Sequence, residues 1–71
     1  MDIRFTDHVQ YRLLERGIDT DKIKRVINAD TKPSRIEPNL LVARWSIDEK
    51  VLEVVYKIEG KKRIIITAYY L

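Results

Sequence analysis

The chain has 71 residues, with 14 Lys or Arg against 11 Asp or Glu and a formal net charge of +3. This length predicts one domain, residues 1–71, near the lower limit for folding without extra support. Cysteine is absent, which excludes disulfides and thiolate sites. A secreted domain this small would usually need such staples, so we expect a cytoplasmic protein. No apolar run approaches the roughly 20 residues of a membrane span, so we expect no membrane partner.

The charge pattern restricts function only weakly. A net charge of +3 is compatible with an anionic partner such as nucleic acid, and equally with an ordinary solvated surface. Charged residues of both signs make up 35% of the chain. That fraction is also compatible with a thermophilic source, in which ion-pair networks contribute more to stability.

The first predicted helix runs from about Asp7 to Arg16. Thr6 is a suitable N-cap, and Gly17 suits the left-handed position that commonly ends a helix, so that Ile18 can fold back on the last turn. Residues 3–5, just before the cap, are predicted as a short extended lead-in.

A second helix is predicted from the start signal at residues 19–21 to about Ala29, and it forms an αα-hairpin with the first. Its apolar face consists of Ile23, Val26 and Ile27. Residues 30–39 contain Pro33 and Pro38 and are predicted as a loop with room for a short extended piece at Arg35–Glu37.

The last part of the chain predicts three strands, Leu40 to Ile47, Val51 to Ile58 and Arg63 to Tyr70. Short polar connections favour hairpins, so we expect an α+β fold with a three-stranded antiparallel sheet, or four-stranded with the extra piece. Strict alternation assigns these residues to the face under the helices: Leu41, Ala43, Trp45, Ile47, Leu52, Val54, Tyr56, Ile58, Ile64, Ile66, Ala68 and Tyr70. The opposite face keeps three apolar residues, Val42, Val55 and Ile65, which either mark a homodimer or partner surface or reflect β-propensity alone.

The first helix carries a stripe of three potential cations. Helical spacing places Val9, Tyr11, Leu13 and Leu14 on a broad apolar arc. His8, Arg12 and Arg16 stack at i, i+4 and i+8 along its edge. Because neighbouring cations repel, the stripe indicates an anion, a carboxylate or a phosphate lying against it.

A structural interpretation of the stripe stays open. Arg16 is favourable at a helix C-terminus, and Arg12 could pair with Glu15 or with a strand acid such as Glu53. A lone histidine such as His8 beside an apolar arc is more often a packing residue than a catalyst.

Other groups of residues in the sequence indicate a functional site only weakly. One histidine and no cysteine exclude the usual zinc sets, and no phosphate-binding glycine loop is present, so we expect neither metal nor cofactor. The basic cluster Lys61–Arg63 lies at a predicted hairpin tip, where a solvated turn is the simpler interpretation. Four strand aromatics could stack on bases, although most such residues are core or interface residues: Trp45, Tyr56, Tyr69 and Tyr70.

Three segments carry a resemblance to a known family. They are Phe5-Thr6-x-His8-x-x-x-Arg12-x-x-Glu15-Arg16-Gly17-Ile18, Ile23-x-x-Val26-Ile27 and Ile64-x-Ile66-Thr67-Ala68-Tyr69. The chain resembles the DUF4258 family of small prokaryotic domains over nearly its whole length. It departs from the family pattern at Val9, where a small residue is usual, and at Asn28–Asp30, which replaces an Asn-Pro end of the second helix.

The layout of that family is similar to small toxins of the RelE/BrnT kind, which are metal-independent ribonucleases. The resemblance implies RNA and a cognate antitoxin-like protein as partners. It implies His8 as an acid/base candidate, Arg12 and Arg16 as ligands of the scissile phosphate and Tyr69 as a secondary candidate. The second proton-transfer group is unassigned. The alternative is a non-catalytic protein-interaction module whose stripe binds a partner's carboxylates or ties the helix to the sheet.

Overall fold

The structure is a computed structural model that describes residues 2–71. Two helices and five strands follow one another as β1 (Asp2–Phe5), α1 (Asp7–Glu15), α2 (Thr20–Ala29), β2 (Ser34–Glu37), β3 (Leu40–Ile47), β4 (Lys50–Glu59) and β5 (Lys62–Tyr70). No helix in residues 2–71 is long and apolar enough to cross a membrane.

The five strands form one mixed sheet in the order β1-β5-β4-β3-β2. The predicted α+β class is confirmed, and β2 to β5 are antiparallel as the four-stranded alternative predicted. The prediction lacked β1, a fifth strand before the helices that makes the sheet mixed. The predicted lead-in belongs to β1, which pairs parallel with β5, and the extended piece Arg35–Glu37 belongs to β2. Because β5, the partner of β1, lies at the other end of the chain, no local turn in the sequence predicts that the two strands pair.

The caps of α1 follow the sequence. Thr6 Oγ1 accepts a hydrogen bond from the Val9 amide at 3.1 Å. Gly17 has φ +66°, and the Ile18 amide donates to the Leu13 carbonyl at 2.9 Å. This turn satisfies the last carbonyls of the helix and brings Ile18 back onto it. The predicted N-terminus and glycine stop are therefore confirmed, with Arg16 as the C-cap residue.

The second helix also begins and ends where predicted. Asp19 caps it by accepting hydrogen bonds from the amides of Asp21 and Lys22, and Ala29 is its last residue. Its apolar stripe packs on β3 and β4, whereas α1 packs on β5. Both helices thus cover one face of the sheet, and the buried core between the layers contains Val9, Leu13, Ile18, Ile23, Val26, Ile27, Leu41, Ala43, Ile47, Leu52, Val54, Tyr56, Ile65 and Ala68.

A register shift in β5 reverses part of the predicted face assignment. Val55 pairs with Thr67, but Tyr56 pairs with Ile65, so Ile66 is an extra residue in the ladder. Such a bulge moves all earlier residues of the strand to the opposite face. Ile65 is therefore in the core, and Ile66 is exposed. Strict alternation was wrong for residues 63–66 because a bulge has no signal in the apolar pattern.

The face of the sheet away from the helices, called here the outer face, carries different apolar residues from those predicted. Ile65 has left it, Val42 is buried between Ser34 and Val55, and Val55 itself is half-buried. None of these three residues is exposed, whereas the bulge places Ile64 opposite Lys57 on this face and leaves Ile66 exposed.

Candidate functional site

A solvent-open groove runs along α1 and contains the predicted stripe. It has a volume of about 660 Å³ and is lined by His8, Tyr11, Arg12, Glu15 and Arg16. The helical spacing predicted from the sequence therefore brings the three stripe residues into one depression. Tyr69, the fourth predicted site residue, is not among its lining residues.

Two residues of the groove have free polar groups. His8 and Arg12 are both exposed. Within residues 2–71, neither side chain has a hydrogen-bond or ion-pair partner, and Glu53, the acid suggested for Arg12, contacts Arg44. Their nitrogen donors therefore face solvent, available to a ligand.

Arg16 has a different environment. Its Nη1 donates to Thr67 Oγ1 at 3.1 Å and to the Ala68 carbonyl at 2.8 Å. The β1–β5 ladder ends at the pair of Phe5 and Ile65, so the rest of β5 has a free edge on that side. Arg16 satisfies part of this edge and ties the end of α1 to the sheet. The structural interpretation of the stripe therefore fits Arg16, whereas His8 and Arg12 remain free.

A second polar cluster lies on the outer face and consists of Arg44, Glu53 and Tyr69. Glu53 on β4 lies directly opposite Arg44 on β3 and Tyr69 on β5, so the three residues form one row across the sheet. Arg44 Nε donates to one carboxylate oxygen of Glu53, and the Tyr69 hydroxyl donates to the other. The Glu53 side chain is only 8% exposed, whereas that of Arg44 is 56% exposed. Cross-strand partners thus satisfy a buried carboxylate from both sides.

The electrostatics of this outer cluster follow from those two hydrogen bonds. The Tyr69 hydroxyl first and the Arg44 guanidinium second stabilise the carboxylate, and they lower the pKa of Glu53 although burial opposes the shift. The same hydrogen bond raises the pKa of Tyr69, and the carboxylate raises the pKa of Arg44. The cluster therefore holds an ionised carboxylate and a neutral phenol, which makes Glu53 a weak base and a firm anchor.

Arg16 links the two regions. The groove is on the helix side, whereas Thr67 and Tyr69 lie on the outer face, two residues apart on β5. Arg16 therefore lines the groove and also contacts a residue of the outer face that is two positions from Tyr69.

Sequence reasoning did not single out Arg44. A signal was available, because a two-residue turn at Asp48-Glu49 pairs Ile47 with Lys50 and thereby brings Arg44 opposite Glu53. Counting outward from a predicted hairpin turn would have found this charge pair.

The groove has an apolar margin. Val9 and Leu13 of the predicted apolar arc are buried, but Tyr11 is 64% exposed and Leu14 is 78% exposed. Together with Leu13 and Ile18 they line a neighbouring depression of about 420 Å³. The predicted arc was therefore too broad, since only its inner half meets the sheet.

The part of the chain that the structure describes contains no group of three or more His, Asp or Glu side chains placed to hold a metal ion.

Comparison with known proteins yields a family. The family model described as "Domain of unknown function (DUF4258)" matches residues 5–70. Curated proteins and solved structures gave no significant match. The match extends over nearly all of the chain. It includes α1 with its groove, α2, and the strands that carry the outer cluster. The chain therefore belongs to the DUF4258 family.

Proposed function

We propose that this domain binds RNA along the α1 groove. The observation that carries the proposal is the pair of unpartnered, exposed side chains His8 and Arg12, one helical turn apart on a helix held at both ends by caps. A guanidinium recognises phosphate through a planar fork of donors. Arg16 supports the same role less directly, because two of its contacts are already made to β5.

The chemistry that this groove supports is metal-independent RNA cleavage of the toxin-like kind. Such cleavage needs a base for the 2′-hydroxyl, charge stabilisation at the phosphorus and an acid for the leaving oxygen. His8 would transfer one proton and Arg12 would stabilise the phosphorane. Besides the arginines, the other titratable side chains in the groove are Tyr11 and Glu15. They lie three and seven residues from His8, about 4.5 and 10 Å along the axis, and neither is assigned a proton-transfer role. Phosphate binding therefore has fuller support than the complete reaction, which needs a second proton-transfer group.

The test uses fluorescently labelled single-stranded RNA with the purified protein in EDTA. Arg12→Ala is expected to weaken binding about tenfold, since one charged hydrogen-bonding contact is lost. Lys24→Ala, which removes the same charge from an exposed position of α2, is the matched control and should change affinity by less than twofold. Equal losses in both variants would show that net charge alone retains RNA, and would contradict a groove-specific site.

Cleavage is tested separately. The toxin-like activity predicts growth arrest on expression, RNA fragments in EDTA and loss of both in His8→Ala, with RNA binding largely kept. Normal growth together with intact RNA after incubation with the wild-type protein would overturn the ribonuclease proposal and leave the binding proposal standing. A growth arrest relieved by a small adjacent reading frame would support a cognate antitoxin-like partner.

A second candidate function is a non-catalytic protein-interaction module, and the exposed Tyr11 and Leu14 favour it. Apolar side chains beside a basic stripe suit a partner surface, including that of a second copy. Light scattering across a concentration series tests the homodimer. A dimer that Leu14→Ser converts to a monomer would support it, and a monomer at every concentration would contradict it.

A further inference from the structure

The single tryptophan of the chain is half exposed on the face of the sheet that the helices cover. Trp45 is 49% exposed, whereas Ala43 and Ile47, its neighbours on the same face of β3, are almost fully buried. An indole is among the largest apolar side chains, and burial of its area would stabilise the fold. At Trp45 the helix layer leaves about half of the residue's surface uncovered.

The Trp45 side chain lines a groove together with the C-terminal half of α2. The groove has a volume of about 340 Å³ and is lined by Arg25, Asn28, Ala29 and Trp45. This volume lies at the lower end of the range for small-molecule sites. The three α2 residues share one side of the helix by their spacing, and Ala29 presents only a methyl group.

The lining has the chemistry of a nucleobase site. It offers a flat aromatic wall, a carboxamide with both donor and acceptor groups, and a guanidinium, with no acidic side chain among its lining residues. Within residues 2–71, the side chains of Arg25 and Asn28 have no hydrogen-bond or ion-pair partner. Their polar groups are therefore available to a bound base and its phosphate.

We propose that this groove binds one unpaired purine base of an RNA strand, an inference that rests on the proposed RNA binding. The base stacks on the Trp45 indole, a contact typical of single-strand recognition. The Asn28 carboxamide faces the base edge, and its donor and acceptor match the N6 and N7 atoms of adenine. Arg25 pairs with the adjoining phosphate.

The base groove and the α1 groove are separate surfaces. Trp45 lies on β3 under α2, whereas α1 packs on β5, and β4 separates those two strands. A variant in one groove should therefore leave the other intact, and a strand long enough to reach both would bind more tightly than either contact alone.

The experiment follows the fluorescence of Trp45 and the NMR signal of its indole N–H, each free of overlap because the chain has one tryptophan. The probes are the RNA pentamers A5 and U5. We expect A5 to quench the fluorescence and shift the indole signal, with U5 at least fivefold weaker. Trp45→Leu should weaken A5 binding about tenfold by anisotropy of a labelled strand. Asn28→Ala should abolish the preference for A5 over U5 while the tryptophan remains as reporter.

The outcomes separate this site from the α1 groove. Quenching by A5 that persists in Arg12→Ala supports the base groove, even if the α1 groove proves not to bind RNA. RNA binding that Arg12→Ala weakens, with no change in the Trp45 signals and equal affinity of Trp45→Leu, would overturn the base groove and leave the α1 groove standing. Thermal melts of Trp45→Leu verify folding, and Asn28→Ala carries the test if that variant does not fold.

Discussion

Arg12 and Arg44 carry the same charge in opposite surroundings. Arg44 lies on the outer face of the sheet and donates to Glu53, which also accepts from Tyr69. Arg12 lies in the α1 groove without a partner in residues 2–71. The outer cluster is closed because every charged atom in its buried part is satisfied. The groove is open because its free donors face solvent.

This contrast separates charges that stabilise the sheet from charges that are free to bind a ligand. Partnered charges hold β3, β4 and β5 together, and removing one partner leaves the others unsatisfied. Unpartnered charges on a capped helix contribute little to folding and are free to bind an anion. Arg16 lies between these classes, because it lines the groove and also ties α1 to β5.

The largest effect is expected for Glu53→Ala. The substitution removes the shared acceptor of Arg44 and Tyr69 and should lower the free energy of unfolding by about 2 kcal/mol. Chemical denaturation with a constant m-value measures it. Glu59→Ala is the control, because Glu59 forms an exposed pair with Lys57 at 3.3 Å and should cost less than about 0.5 kcal/mol. Equal losses of unfolding free energy in Glu53→Ala and Glu59→Ala would contradict a stabilising role for the outer cluster.

Part of the Glu53 contribution should depend on pH. Hydrogen bonds lower the pKa of Glu53 in the folded state, so its contribution is present above the unfolded pKa, near 4.5, and is lost as the pH falls through the folded value. The raised pKa of Tyr69 makes stability depend on pH in the alkaline range. That contribution is present below the unfolded pKa, near 10, and is lost as the pH rises through the folded value.

Thermal melts from pH 2.5 to 11 measure both limbs. Glu53→Gln should show a flatter acid limb than the wild-type protein. Tyr69→Phe should flatten the alkaline limb. Parallel curves for Glu53→Gln and the wild-type protein below pH 4.5 would show that other carboxylates control acid unfolding.

A smaller loss is expected for Arg16→Ala. Hydrogen bonds to Thr67 Oγ1 and the Ala68 carbonyl disappear, which should cost about 1 kcal/mol of unfolding free energy. Arg12→Ala removes the same charge from the same helix and should change stability by less than about 0.5 kcal/mol. The pair is measured by urea denaturation, and a loss for Arg12→Ala as large as that for Arg16→Ala would erase the distinction between them.

The smallest effect concerns the β3–β4 turn. Asp48 and Glu49 have φ of +52° and +69°, a left-handed conformation that glycine adopts without steric cost. Glu49→Gly should stabilise the fold by about 0.5 kcal/mol in denaturation experiments. Glu59→Gly, within β4, is expected to destabilise it instead.

Local signals predicted most of the fold. The caps at Thr6 and Asp19, the glycine stop at Gly17 and the three long strands all appear where the sequence placed them. Two features escaped because their causes are not local. The parallel pairing of β1 depends on a partner about 60 residues away, and the bulge at Ile66 has no mark in the apolar alternation.

The site was predictable to the extent that helical spacing fixes it. Positions 8, 12 and 16 had to share an edge of α1, and they line one groove. Whether each side chain faced solvent or a partner depended on the packing of α1 against β5. That packing gives Arg16 two hydrogen-bond acceptors and leaves Tyr11 and Leu14 exposed. Helical spacing alone does not predict how α1 packs against β5.

The most direct test of this account compares RNA affinity and stability in the same two variants, Arg12→Ala and Glu53→Ala. We predict that Arg12→Ala loses about tenfold in RNA affinity at unchanged stability, and that Glu53→Ala loses stability while the folded fraction retains its RNA affinity. Unchanged RNA affinity in Arg12→Ala, measured at low salt with the fold intact, would contradict the central claim that the open groove on α1 is the binding surface.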